Sequence, residues 1–177
     1  MKFALHLTAI WLVLVALAGC ASQPAGQLAR PVIMGKPVSM DTILVTAASA
    51  LNGLTPETNG LSDAIYSGLN ESRMFVHVTQ DKAAINAGDG IKIHAVIQQI
   101  KKVSDNAREW SGALAGRAWV LVQVTVSDLR SGKPIEVFEV MGQSGQSAFA
   151  GTTNEAILRA AEQVVAEILK LNAQTGT

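Results

Sequence analysis

From Ala118 to Asp128 the chain alternates without a break, Val120, Val122, Val124 and Val126 on one side and Trp119, Leu121, Gln123 and Thr125 on the other. Successive side chains of a strand point to opposite faces, so this period of two predicts one buried face and one partly wet face. Asp128-Leu129-Arg130-Ser131-Gly132-Lys133 follows as a turn, its Gly132 able to take a positive φ, and Ile135 to Met141 returns as the partner strand. The hairpin commits the chain to a sheet with one face that needs a cover.

The other elements are read from the same two periods. Thr42 to Thr46 is a short apolar run bounded by turn formers and predicts a buried strand; Phe75 to Thr79 predicts another. From Ile91, residues Ile91, Ile93, Ala95 and Ile97 point one way while Lys92, His94 and Gln98 point the other. Leu61, Ile65 and Leu69 recur every fourth residue, with Ala64 and Gly68 beside them, predicting an internal helix of about three turns. The stretch before it, Leu51 to Gly60, holds Pro56 and shows no clear pattern. A helical turn is expected near Ala83-Ala84-Ile85, and Ser104 to Arg117 is long enough for a protruding loop.

A second helix closes the chain. Thr152 precedes Glu155 by the spacing of a capping box, in which the hydroxyl takes one free N–H and the carboxylate returns to another. Ile157, Ala161, Val164, Ile168 and Leu171 form its apolar stripe, while Arg159, Glu162, Glu167 and Lys170 fall opposite. Such a helix is marginal alone, so the stripe lies on the sheet or seams two copies together. The expected architecture is α+β: a mixed, mostly antiparallel sheet of about four to five strands covered by an internal and a C-terminal helix.

The amino-terminal stretch has a different logic. Lys2 stands ahead of an apolar run that ends in Leu17-Ala18-Gly19-Cys20, the plan of a secretory signal peptide. A retained transmembrane anchor is the other reading, but a span needs about 20 apolar residues, and His6 and Thr8 shorten this run. Cys20 is the chain's single cysteine, and an odd cysteine in an exported chain is otherwise an unexplained thiol. Leu17 to Cys20 resembles the lipobox of bacterial lipoproteins. The resemblance implies that residues 1–19 are removed, that a diacylglycerol is attached to the sulfur of Cys20, and that the new amino terminus is acylated. Ala21, rather than an aspartate, follows Cys20, which resembles the pattern sent on to the outer membrane of Gram-negative envelopes.

Removing 19 of the 177 residues leaves 158, enough for one domain with a core of its own. Pro24, Pro31 and Pro37, mixed with Gly26, Gly35, Ser22 and Gln27, make residues 20–40 a tether, unless Pro31 to Met34 pairs along the domain edge. The single domain is then 41–172, with 173–177 as a tail. Lys2 leaves with the signal peptide, so the mature chain carries 13 basic residues against 14 acidic ones. That balance argues against nucleic acid or a polybasic grip on anionic lipid as the main partner. With Cys20 taken by lipid, no thiol remains for a disulfide or a thiolate metal site.

Trp119 to Asp128, Ser131-Gly132-Lys133, the Gly/Ser-rich segment from Gly142 to Gly151, and Thr152-Thr153-Asn154-Glu155-Ala156 leading into an alanine-rich helix together resemble a family of small proteobacterial outer-membrane lipoproteins whose domain is of unknown function. The resemblance covers residues 40–172 and implies a fold more than an activity. Its order of elements is similar to that of curli-secretion and peptidoglycan-synthase-activator lipoproteins, by analogy of fold only.

Catalytic sets are thin. The mature chain holds two histidines, His77 and His94, each inside a predicted strand, where a hydrogen-bonded structural role outweighs a general base. Gly142-Gln143-Ser144-Gly145 resembles a nucleophile elbow only in part, and no spacing brings a histidine and an orienting acid to Ser144. Glu136 and Glu139 fall on opposite faces of one strand, so they are not an acid–base pair. Unpaired N–H groups ahead of the last helix could hold an anion on the segment Gly142 to Thr152, or that segment is a loop with a capping function. No metal pattern and no cofactor motif stand out.

The expected role is therefore binding: a lipid-anchored module facing the periplasm that assembles with another envelope protein or with itself. A small periplasmic hydrolase or ligand-binding protein, and a peptidoglycan-binding domain, are the alternatives. Trp110, Leu114 and Phe149 lie in predicted loops, where neither strand nor helix pattern demands burial, and are the candidate partner contacts.

Overall fold

The computed structural model describes residues 39–85, 89–103, 116–145 and 152–175. Five strands form one sheet: β1 (Thr42–Ser49), β2 (His77–Thr79), β3 (Ile91–Lys101), β4 (Trp119–Asp128) and β5 (Pro134–Gln143). Helix α1 (Thr55–Ser72) joins β1 to β2, and α2 (Thr153–Thr175) follows β5. The spatial order is β2-β1-β3-β4-β5. β1 runs parallel to both of its neighbours, and β3, β4 and β5 are antiparallel in turn. The α+β class, the mixed sheet and its two covering helices are those the two periods predict.

Both helices lie on the face that the strands bury. Ile43 and Val45 of β1, Ile91, Ile93 and Ile97 of β3, and Val120 to Val126 at alternate positions of β4 are almost wholly withdrawn from solvent. Leu61, Ile65 and Leu69 from α1 and Ile157, Ala161, Val164 and Ile168 from α2 complete this core. Each large side chain so buried contributes roughly 1.5–3 kcal/mol of transfer free energy. On the outer side of α2, Arg159 pairs with Glu162 and Lys170 with Glu167, contacts worth about 0.3–0.5 kcal/mol each because they stay in water.

Small residues set how closely the layers approach. A Cβ on Gly142 of β5 would stand 1.9 Å from the carbonyl oxygen of Ala156, so α2 touches the sheet backbone to backbone there. Gly68 of α1 instead faces the side chain of Val165 of α2, a Cβ there lying 2.9 Å from its Cγ2.

Several boundaries differ from the pattern reading, each for a local reason. β1 runs on through Ala47, Ala48 and Ser49, which carry little strand preference but pair with Ala95, Val96 and Ile97 of β3. α1 starts at Thr55, six residues before its apolar stripe, and accommodates Pro56 in the first turn, where a missing N–H costs nothing. It also runs past its last buried leucine through Asn70, Glu71 and Ser72, and stops at Arg73 in left-handed backbone. β2 begins at His77 rather than Phe75, because Phe75 packs against the core from the preceding loop. A register shift between Ile97 and Gln99 of β3 lets both Ile97 and Ile100 reach the covered face. The capping box of α2 is half formed: Glu155 N donates to Thr152 Oγ1 at 3.1 Å, but the Glu155 carboxylate accepts from Gly145 N at 3.2 Å instead of returning to the cap.

Candidate binding face

The uncovered face of the sheet is crossed by rows of register partners. Thr46, His94, Thr125 and Val137 make one row, and Ala48, Val96, Gln123 and Glu139 the next. Leu121 and Met141 pair beyond them. Most of these side chains are half-exposed, and Met141 is 45% exposed. Leu44 is the exception on this face, buried beside Thr79. Among the described residues no helix lies over these rows. Threonine, glutamine, valine and leucine interleave here, a surface with both hydrogen-bonding and apolar capacity.

Polar contacts on this face are specific. Thr46 Oγ1 donates its one proton to the carbonyl of Ile93 at 3.1 Å and lies 3.0 Å from Nδ1 of His94. With that proton spent, the hydroxyl accepts from Nδ1–H, which leaves Nε2 of the neutral ring as the acceptor. Burial pushes the His94 pKa below its ordinary value, and the charge of Lys92 acts in the same direction, so the ring is neutral at pH 7. Gln98 Nε2 reaches Gln123 Oε1 at 3.4 Å across the strands.

The residues weighed for catalysis do not converge. His77 pairs with Thr42 and His94 with Thr46, on opposite sides of β1, which separates the two rings by roughly 16 Å on strand geometry. Ser144 is 3% exposed; its hydroxyl accepts from Ala118 N at 3.0 Å and it continues the helix-covered side of β5, away from His94. The rival hydrolase needs Ser144 beside a histidine, and this geometry keeps them apart. Glu136 and Glu139 sit three residues apart in β5 and so on opposite faces, as their spacing predicts. Ahead of α2, the carboxylate of Glu155 takes Gly145 N, placing a negative charge where an anion would have to bind. Among the described residues no group of three His, Cys, Asp or Glu side chains is disposed to hold a metal.

Two features had no signal in the sequence. Glu57 in the first turn of α1 forms an ion pair with Lys102, just past β3, and this partner holds its carboxyl below the usual carboxylate range. The pair joins residues far apart in the chain, so no local pattern announces it. A groove of about 550 Å³ also runs between α1 and α2 over Gly60, Ala64 and Gly68, with Asp63, Glu71 and Glu162 among its lining residues. The open face itself was visible as the second half of each strand's alternation. That nothing in the described chain covers it was not.

Leu17, Ala18, Gly19 and Cys20, and the contact candidates Trp110, Leu114 and Phe149, lie outside the described residues. Among those described, no helix is long and apolar enough to cross a membrane.

No family model matches the chain, and no curated protein matches it by sequence. Solved structures do share its fold. The hypothetical protein CT253 from Chlamydia trachomatis aligns with a TM-score of 0.53 at 12% identity, over 77% of this chain and 99% of that one. Protein XCC0632 from Xanthomonas campestris, of the DUF330 family, aligns at 0.50 and 14% identity, over 79% and 87%. A PelC dodecamer from Paraburkholderia phytofirmans scores 0.49 at 11% identity, over 75% and 91%, and is no guide to assembly here. The chain thus has a fold found in bacterial proteins, one of them from a family defined by a domain of unknown function.

Proposed function

We propose that this chain is an outer-membrane lipoprotein of a Gram-negative envelope, anchored through lipid on Cys20, whose domain faces the periplasm as a binding or assembly module. Its partner is another envelope protein or further copies of itself. The observation that carries the reading is the open sheet face: four strands present half-exposed valine, leucine, threonine and glutamine side chains that no described element covers. A flat surface of that composition suits contact with a second protein surface, where apolar area and paired hydrogen bonds act together. It offers no enclosed site in which water could be excluded from a reacting bond. Leu17 to Cys20 supplies the anchor in this reading, the residues before Ser39 the tether, and the chain from Met40, whose side chain is buried in the core, to the end of α2 at Thr175 the working domain.

Crosslinking in intact cells tests the function, and mass spectrometry of the amino-terminal peptide tests the anchor. A crosslinked species that disappears when Leu121 and Val96 are replaced by serine supports the face as the contact. A chain that yields no protein adduct and stays a monomer in detergent sinks the assembly role, and an unmodified sulfur on Cys20 sinks the anchor.

A further inference from the structure

The loop between α1 and β2 holds two apolar side chains in solvent. α1 ends at Ser72, and Arg73 reverses the chain with φ 54°, a conformation disfavoured for a residue with a Cβ. Ser72 Oγ accepts from Met74 N at 3.3 Å, Phe75 packs into the core, and the N–H groups of Val76 and His77 both donate to the Asp41 carbonyl, at 3.0 and 2.9 Å. The outcome is that Met74 is 60% and Val76 84% exposed, on either side of the partly buried Phe75. Isolated exposed apolar residues are ordinary. Here two of them are displayed together by a left-handed turn, an aromatic anchor and paired hydrogen bonds.

Their position is informative. Asp41, whose carbonyl fastens the loop, lies two residues after Ser39, the first described residue. The chain before Ser39 therefore joins the domain at the end of the sheet where β1 and β2 both begin. If Cys20 carries lipid, residues 20–38 connect the bilayer to this same end, with a reach of at most about 65 Å when fully extended. Charges of both signs stand near this end, Glu71 two residues before Arg73 at the close of α1, and Arg130 paired with Asp89 at 2.8 Å. Attraction to anionic headgroups is thereby weak, and the apolar side chains are left as the adhesive feature.

We infer that Met74 and Val76 are a second membrane contact, inserting into the lipid surface that faces this end of the domain and fixing the domain's orientation on it. The inference rests on the anchored reading above and adds to it a defined membrane-facing end.

The test uses the mature protein purified from membranes and returned to phosphatidylethanolamine–phosphatidylcholine vesicles, with an environment-sensitive dye on Val76→Cys or, as a control, on Leu158→Cys in α2. The dye at position 76 is expected to shift to the blue and to be quenched by spin-labelled lipid, unaffected by high salt, while the dye at 158 stays in water. In an unlipidated Cys20→Ser chain, co-flotation with the same vesicles should fall about tenfold on Met74→Ser together with Val76→Ser, with the melting temperature unchanged because both side chains are already solvated. A water-like signal at 76 overturns the inference, as does crosslinking of that position to a protein without lipid quenching. The mass of the Cys20 peptide from the same preparation judges the anchor separately, and the Cys20→Ser chain judges the loop whether or not the anchor exists.

Discussion

The two faces of the sheet are written by alternate residues of the same strands, and they follow different rules. On the covered face of β4, Val120, Val122, Val124 and Val126 are all wholly buried, and α2 meets β5 so closely that only glycine fits at position 142. One residue away in every case, Trp119, Leu121, Gln123 and Thr125 are half-exposed and chemically mixed. Volume and shape decide the first set. The second set is free of that constraint, so its composition is available for recognition.

Substitution at the tightest point of the covered face should separate the two most strongly. Gly142→Ala drives a methyl group into the backbone of α2 and is expected to cost about 3 kcal/mol or more, read as a fall in the urea midpoint. Next in size, Val124→Ala should cost about 2–3 kcal/mol through lost burial and a residual cavity, whereas its neighbour Thr125→Ala should cost less than about 1 kcal/mol. Equal losses at the two positions would break the contrast between the faces.

A smaller effect sharpens how the cover is tied down. Lys102→Met should cost about 1 kcal/mol near neutral pH, because it leaves the Glu57 carboxylate at the start of α1 without its counter-charge. The folded pKa of Glu57 is depressed, so this contribution is fully present above the ordinary carboxylate value and is lost as pH falls through the folded one. Urea midpoints of the parent and Lys102→Met chains should therefore converge in acid. Smallest in stability are changes on the open face. Leu121→Ser with Val96→Ser should leave the melting temperature within a few degrees, about 1 kcal/mol or less, while abolishing crosslinked species in cells.

How far the sequence carried this picture depends on the range of the interactions involved. The β4–β5 hairpin and the stripe of α2 were legible because their periods are local, and the α+β class followed from them. The extension of β1 through Ala47 to Ser49 was not, since only β3 alongside makes those residues a strand. The same is true of strand order: placing β1 between β2 and β3, parallel to both, is a long-range arrangement that no short pattern records. Pro56 gave no sign that a helix opens at it, because a proline starts or breaks a helix according to its position, and only the first turn tolerates its missing N–H. Of the candidate site, His94 and its alternate-face neighbours were visible as a pattern. The hydrogen bond to Thr46 that sets the imidazole's proton was not, for its partner lies 48 positions away.

The central place of β1 has a mechanical consequence. A pull transmitted through Ser39 acts along the axis of a strand gripped on both flanks, by β2 and by the full run of β3 from Ile91 to Ile97. Those rungs are loaded in shear and must give way together, whereas a pull across the strands would open them one at a time. A chain tugged by its leading end thus meets the direction in which its sheet is hardest to tear.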